Sequence, residues 1–409
     1  MLTVLTPQEA LDLINSKIFP LPHTEILPLA NALGRVLAED IRAGEYVPGF
    51  DRSAVDGYAL RASDAFGCSE AIPALLSLSR SIGMGEAAGE AIGEGCCAYV
   101  PTGAALPPGA DAVAMMEYCE AFGDGTIALT KPVAPGENII FKGDDVYPGK
   151  VVFRSGRRIT GRDIGALAAM GISRVRVRRA PVVGIISTGD ELVEIDAEPT
   201  EGEIRDSNSH LLAAMMEEMG AKSMVFGIIK DEEALLSAAL NRALALCDAV
   251  LISGGSSVGA KDATAKVIAA KGELLFHGLA IKPGKPTILG LAAGKPIFGL
   301  PGHPGAACFV TEVFVRAAIG RLCGRGVRPL TLTARLSESV SANHGRAQYG
   351  GVRLVRDGGG WLAQPIRSKS GLISSFAGAD GFFCIPRDSE GCAAGESVEV
   401  TLYSTYQEV

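Results

Sequence analysis

The first apolar positions, Ala10, Leu11, Ile14 and Ile18, recur at helical spacing behind Thr6-Pro7-Gln8-Glu9, a capping box with proline in the first turn. An amphipathic helix is therefore expected to open the chain. A second short helix is expected over residues 29–33, stopped by Gly34. From there to about residue 140 the apolar runs are short and broken by Gly and Pro, which predicts small strands. Helical period returns over residues 160–171, with Thr160 as N-cap, Ile164, Leu167 and Ala168 on one face and Gly171 as the stop; residues 173–179 then alternate as a strand.

Between residues 181 and 324 the pattern changes to strands and helices in turn. Strands are expected over 182–187, 222–229, 249–252 and 296–299, and helices over 211–219, 231–247 and 304–322. That order predicts a three-layer α/β domain with a mostly parallel sheet. Beyond residue 327, period-two stretches at 331–336, 352–355 and 398–402 separated by Gly-rich turns predict a small C-terminal β-barrel-like domain. The fold class is multidomain, α/β plus β, with a β-rich N-terminal subdomain.

Composition narrows the function. In 409 residues, 47% are hydrophobic and 21% charged, which supports several packed cores. Lys plus Arg total 38 against 46 for Asp plus Glu, and the net charge of −8 gives no global attraction to nucleic acid or to an anionic membrane. An anion site must then be local. The nine cysteines show no C-x-x-C spacing, so reduced and mostly buried thiols are expected. No basic residue precedes Lys17 and Gly or Pro interrupts each apolar stretch, so neither a signal peptide nor a membrane span is expected, and the cytoplasm is the expected location.

Ligands of open α/β sheets bind beyond the carboxyl ends of the strands. Three expected strands end in unusual turns: Ser187-Thr188-Gly189-Asp190-Glu191; Ser253-Gly254-Gly255-Ser256-Ser257-Val258-Gly259, running on to Asp262; and Gly299-Leu300-Pro301-Gly302-His303-Pro304. Glycines let backbone N–H groups approach phosphate oxygens, and a following helix adds a favourable dipole. A single such turn is equally well a hydroxyl-capped structural turn; three in one domain point to an anion cradle. Lys282 and Lys285 flank Pro283 and precede Pro286, so their ammonium groups are held on a restricted backbone, suited to an oxyanion. Asp190, Glu191 and Asp262 in the same turns suit a divalent cation such as Mg2+ bridging to phosphate, with helix capping as the plainer role of Asp262. Asp56-Gly57 reads as a turn, and Thr102 is the one polar handle of its stretch. The five histidines are scattered, and no nucleophilic triad is legible.

Taken in order, Phe50–Leu60, Val100–Val113, Pro135–Val146, Ser187–Leu192, Ile204–Ser209, Ser253–Asp262, Ala280–Pro286 and Gly299–Pro304 resemble the molybdopterin molybdotransferases, the MoeA and gephyrin E-domain group of molybdenum cofactor synthesis. The resemblance spans nearly the whole chain. It implies a domain I from residues 1–43 and 141–177, an inserted β-rich domain II at 44–140, an α/β molybdopterin-binding domain III at 178–326 and a β domain IV at 327–409. It implies insertion of molybdate into adenylylated molybdopterin with release of AMP, a divalent cation, and a homodimer with the site between the α/β domain of one subunit and N-terminal elements of the other. A molybdopterin adenylyltransferase and recipient molybdoenzymes are the implied partners.

Carried over by motif, Asp56, Thr102, Glu191, Asp262 and Lys282 are the implied catalytic residues, with Asp56, Glu191 and Asp262 on the metal. The pterin and anion side falls to Ser187, Gly189, Asp190, Ser253, Gly254, Gly255, Ser257, Gly259, Lys285, Pro286, Pro301, His303 and Pro304. Four positions depart from the family pattern, Gly278, His303, Ala306 and Gly351, each of which would change groups near the anion site. A non-catalytic pterin carrier, a tungstate-inserting paralogue and an adenylyltransferase stay open as alternatives.

Overall fold

The structure, a computed structural model, describes residues 4–254, 258–367, 371, 373 and 377–403, with the backbone alone at 258–262. The chain divides into two compact units, one of Leu27–Leu33 and Glu39–Val175, the other of Met1–Ile26, Gly34–Ala38 and Arg176–Val409.

The first of these is built on a six-stranded sheet of short strands. Towards one edge, Gly57–Leu60 pairs antiparallel with Cys96–Val100 and with the edge strand Ala112–Met115, and Leu60, Cys97, Ala112 and Leu129 are among the fully buried residues. Short strands follow from the frequent Gly and Pro, as the sequence predicts. The 29–33 helix is reduced to a 3-10 turn, Leu29–Asn31, because a strand, Thr24–Pro28, runs directly into it and leaves no room for a helical nucleus.

The helix Gly161–Ala169 is set as expected by Thr160, whose hydroxyl accepts from Asp163 N while the Asp163 carboxylate accepts from Thr160 N at 2.9 Å. Its buried face is Asp163 and Leu167; Ala168 points outward. Asp163 also takes two bonds from the Arg157 guanidinium, 2.8 and 3.1 Å. Those bonds, then the Thr160 cap, hold its carboxyl below the usual carboxylate range against the opposing effect of burial. A depressed folded pKa contributes stability above the unfolded value of about 3.9, and that contribution is lost as pH falls through the lower folded value. Asp163→Ala is therefore expected to cost about 1–3 kcal/mol in urea at pH 7, with the gap to wild type closing below about pH 4.

In the other unit the central sheet has the order Lys222–Ile229, Val182–Thr188, Ala249–Gly254, Lys295–Leu300, Ile288–Ala292, Glu273–His277. Five of the six strands run in one direction and only Ile288–Ala292 runs against them, so the sheet is mostly parallel as expected. Its centre is apolar on both faces. Val183, Ile185, Leu251 and Phe298 face one buried cluster, and Ile186, Val250, Ile252 and Ile297 face the other. The opening helix Pro7–Lys17 adds Ala10 and Ile14 to the first cluster. The expected helix at 304–322 is interrupted by a π turn, Thr311–Val315, between Pro304–Val310 and Arg316–Leu322.

The C-terminal stretch closes on itself as a five-stranded barrel. Ala347–Asp357 pairs with Gly360–Pro365 and with Gly381–Ile385, and the ring runs on through Thr331–Leu336 and Ser397–Leu402. A sixth strand, Ile281–Lys282, joins it from the α/β stretch. All nine cysteines are free, and burial pushes the Cys97 and Cys308 thiols up to about 12 and Cys119 to about 11. Among the described residues no helix is long and apolar enough to cross a membrane.

Candidate functional site

Register brings the three unusual turns together. Ser187 pairs with Ser253 and Thr188 with Gly254 across one ladder, and Ser253 pairs with Leu300 across the next. Adjacent strands lie roughly 4.8 Å apart, so Gly189, Gly254 and Pro301 leave the sheet side by side at its carboxyl edge. Ser187, Thr188, Gly189 and Ser253 are buried at this edge, whereas Asp190 and His303 are exposed. His303 stands at the N-cap of the helix Pro304–Val310. Gly255 and Ser257 lie outside the described residues. Gly259 and Asp262 fall on the helix Val258–Lys271, so residue 262 lies within the helix and not at its cap; the Asp262 side chain is outside the described part.

Asn208 ties two of the turns. Asp206 caps the helix Ser207–Glu218 by accepting from Ser209 N, which starts that helix four residues before the apolar pattern predicts. The cap turns Asn208 inward, where its Nδ2 donates to Ser253 Oγ at 2.8 Å and to Gly302 O at 2.9 Å. Its Oδ1 and the Ser187 hydroxyl are buried with no partner among the described residues. Unspent buried hydrogen-bonding groups are costly, and their gathering at a strand edge marks a place prepared for a polar ligand. Asn208 is absent from the residues picked by sequence. The available signal was an Asn inside a helix start, on the side that has to face the core. Asn208→Ala is expected to cost about 1–3 kcal/mol, read as a lowered urea midpoint, and Asn208→Asp to cost as much because it loses both donors.

The two-lysine loop is pinned from below. Leu279 N donates to Lys285 O at 2.9 Å, Gly278 N to Thr287 O at 2.8 Å, and the buried Thr287 hydroxyl to Gly284 O at 2.6 Å. Gly284 packs so closely that a Cβ there would lie 2.7 Å from Val310 Cγ2, on the helix that begins in the third turn. Lys282 and Lys285 are exposed on this fixed backbone. Two of the four departures have a local reason or none: Gly278 has φ 116°, a conformation that a Lys or Arg side chain would strain, while Gly351 has only ordinary contact around it. Ala306 is buried in the first turn of the helix Pro304–Val310.

Carboxylates crowd the first turn. The Asp231 amide donates to Asp190 Oδ1 at 3.3 Å. Burial, then the charges of Glu191 and Asp190, push the Asp231 carboxyl above its usual range. Mutual repulsion of this kind favours a cation nearby. Among the described residues no three acidic or sulfur or imidazole groups converge closely enough to hold a metal by themselves. In the other unit Asp56 and Thr102 meet: Asp56 Oδ1 accepts from Thr102 N at 2.7 Å and from its hydroxyl at 3.1 Å.

A parallel sheet that delivers three glycine or hydroxyl turns to one edge, beside a fixed pair of lysines, defines an α/β protein with a carboxyl edge suited to an anionic ligand. Three family models match in order: the MoeA N-terminal region (domain I and II) over residues 5–171, a domain described as "Probable molybdopterin binding domain" over 184–321, and the MoeA C-terminal region (domain IV) over 333–403. The chain belongs to the MoeA family. A Methanocaldococcus jannaschii relative named for molybdopterin biosynthesis is 35% identical over 383 residues, 91% of each chain. The Bacillus subtilis molybdopterin molybdenumtransferase is 34% identical over 386 residues, 93% of this chain and 90% of its own. A crystal structure of the MoeA protein from Pyrococcus horikoshii OT3 has a TM-score of 0.87 at 36% identity, covering 98% of this chain and 100% of its own.

Proposed function

We infer that this protein is a molybdopterin molybdotransferase, a transferase of molybdenum cofactor biosynthesis that inserts molybdate into adenylylated molybdopterin and releases AMP. The observation that carries the reading is the strand register that aligns Ser187 with Ser253 and Ser253 with Leu300, in a chain matched by MoeA models on both sides of its α/β domain. An adenylyltransferase has no use for those flanking domains.

In this reading the hydroxyls and amides of Ser187, Gly189, Ser253, Gly254, Gly255, Ser257 and Gly259 cradle the pterin phosphate, framed by Pro286, Pro301, His303 and Pro304. Lys282 and Lys285 hold molybdate and phosphate oxygens by charge-assisted bonds. Glu191 and Asp262 supply hard carboxylate oxygens, the donors that Mg2+ takes, with Asp190 next to Glu191, and Asp56 of the second subunit supplies the third. A cation bound there would offset phosphate charge. Thr102 fixes the Asp56 carboxylate by its two hydrogen bonds. Catalysis rests on position and charge, without a protein nucleophile. The working form is a homodimer, supplied by a molybdopterin adenylyltransferase and drained by a recipient molybdoenzyme.

The test is single-turnover AMP release from adenylylated molybdopterin with Mg2+, in the presence of molybdate, of tungstate or of neither, beside an Asp262→Ala control. Release stimulated by molybdate and lost in the control supports the reading. Stimulation by tungstate alone makes the protein a tungstate-inserting paralogue. Tight pterin binding without release makes it a carrier and sinks the enzyme.

A further inference from the structure

The strand Val182–Thr188 carries the candidate site at its carboxyl end; a separate pocket lies at its amino end, and nothing in the reading above uses it. Four arginines line it, Arg35, Arg178, Arg179 and Arg325, together with Met219, in a shallow recess open to solvent. All four are half-buried.

Two of the charges are matched. Arg35 Nη2 meets Glu25 Oε1 at 2.6 Å, and Arg179 Nη2 meets Asp248 Oδ1 at 2.6 Å. The other two have no carboxylate among the described residues. Arg178 donates to Leu21 O at 3.5 Å and its buried Nε has no partner; Arg325 donates to Met219 O at 2.9 Å. Met219 ends the helix Ser207–Glu218, whose dipole offers about half a negative charge to the pocket. Two guanidiniums in excess are not cancelled by that, and most of their donors are unspent. Like charges gathered out of bulk water are held together at a cost, which an anion removes.

We propose that this pocket binds a small tetrahedral oxyanion of charge near −2, free inorganic phosphate or sulfate or the terminal phosphate of a small metabolite. Planar, forked guanidiniums such as those of Arg178 and Arg325 suit the oxygens of such an ion. The ligand sits a whole strand away from the candidate site, so it takes no part in the chemistry. It joins three stretches far apart in sequence, around Arg35, Arg178 and Arg325, and stabilises the folded unit by binding it.

The test is equilibrium dialysis of the full chain against labelled inorganic phosphate, in a Lys282→Ala/Lys285→Ala background that removes the ammonium groups of the other candidate anion site. One saturable phosphate per chain is expected to remain, and Arg178→Gln/Arg325→Gln in that background is expected to bind about tenfold to a hundredfold more weakly. Displacement by glycerol phosphate assigns a terminal phosphate, and resistance to it assigns the free anion; both support the pocket. Binding unchanged by the arginine substitutions, or displaced equally by chloride, overturns it. Since Arg325 also serves Met219 O, a second readout avoids altering the pocket: a selenate-soaked crystal of the lysine variant is expected to give an anomalous peak between Arg178 and Arg325. No peak there at a selenate concentration that saturates the protein in solution overturns the proposal.

Discussion

Lys282→Ala/Lys285→Ala protein is expected to release AMP at least about a hundredfold more slowly than wild type at limiting molybdate, with its fold unchanged. Each charge-assisted contact contributes about 1.5–3 kcal/mol, so losing two weakens oxyanion binding by roughly 10² to 10⁴. Both lysines are exposed, so their removal leaves the core intact and the urea midpoint should move little. The bonds that shape the loop are backbone and Thr287 bonds, which survive the change. Single-turnover release measured across molybdate concentrations reads the effect as a shift in half-saturation. An unshifted curve would mean that another group holds the anion. Arginine replacements should restore only part of the affinity, because a planar fork does not reproduce two compact ammonium groups.

Gly254→Ala is expected to have the largest effect on folding of any single methyl added to this chain's central sheet, at about 3 kcal/mol or more. Gly254 has φ 139°, and a Cβ there would be driven into the backbone carbonyl of Thr188. That carbonyl belongs to the neighbouring strand, in register with Gly254 itself, so neither side can yield without breaking the ladder. The insoluble fraction on expression and the urea midpoint check it. Gly294→Ala is the control: φ is positive there too, at 76°, but open space surrounds the added methyl, and the expected cost is about 1 kcal/mol. Equal effects at both positions would place the damage in backbone strain and not in the collision.

Local signals carried well from sequence to structure. The capping boxes at Thr6 and Thr160 need only four residues, and both helices begin where those boxes put them. The strands at 222–229 and 331–336 agree end to end, because their limits are set by turns next to them. What failed depends on distant partners. Glu273–His277 and Ile288–Ala292 show no clear period of two, and they become strands by pairing with each other and with Lys295–Leu300. The π turn buries Thr311, Phe314 and Val315 and breaks the 3.6-residue repeat on which the expectation of a single helix at 304–322 rests. At the site, the turns were legible because glycines and hydroxyls follow apolar runs. Asn208 was not, since its partners Ser253 and Gly302 lie 45 and 94 residues away.

The lysine loop also has an anchorage outside the α/β sheet. Residues 278–282 are held on one side by Leu5, which exchanges backbone bonds with Gly278 and Ala280, and on the other by the barrel strand that begins at Ala347. The positions of Lys282 and Lys285 are thus decided jointly by segments more than 340 residues apart in sequence. Substitutions that loosen the edge of the barrel at Ala347 or Gln348 belong with active-loop lesions in their consequence. They act as a slackened mount acts on a lens, leaving the optical surface intact and losing the focus.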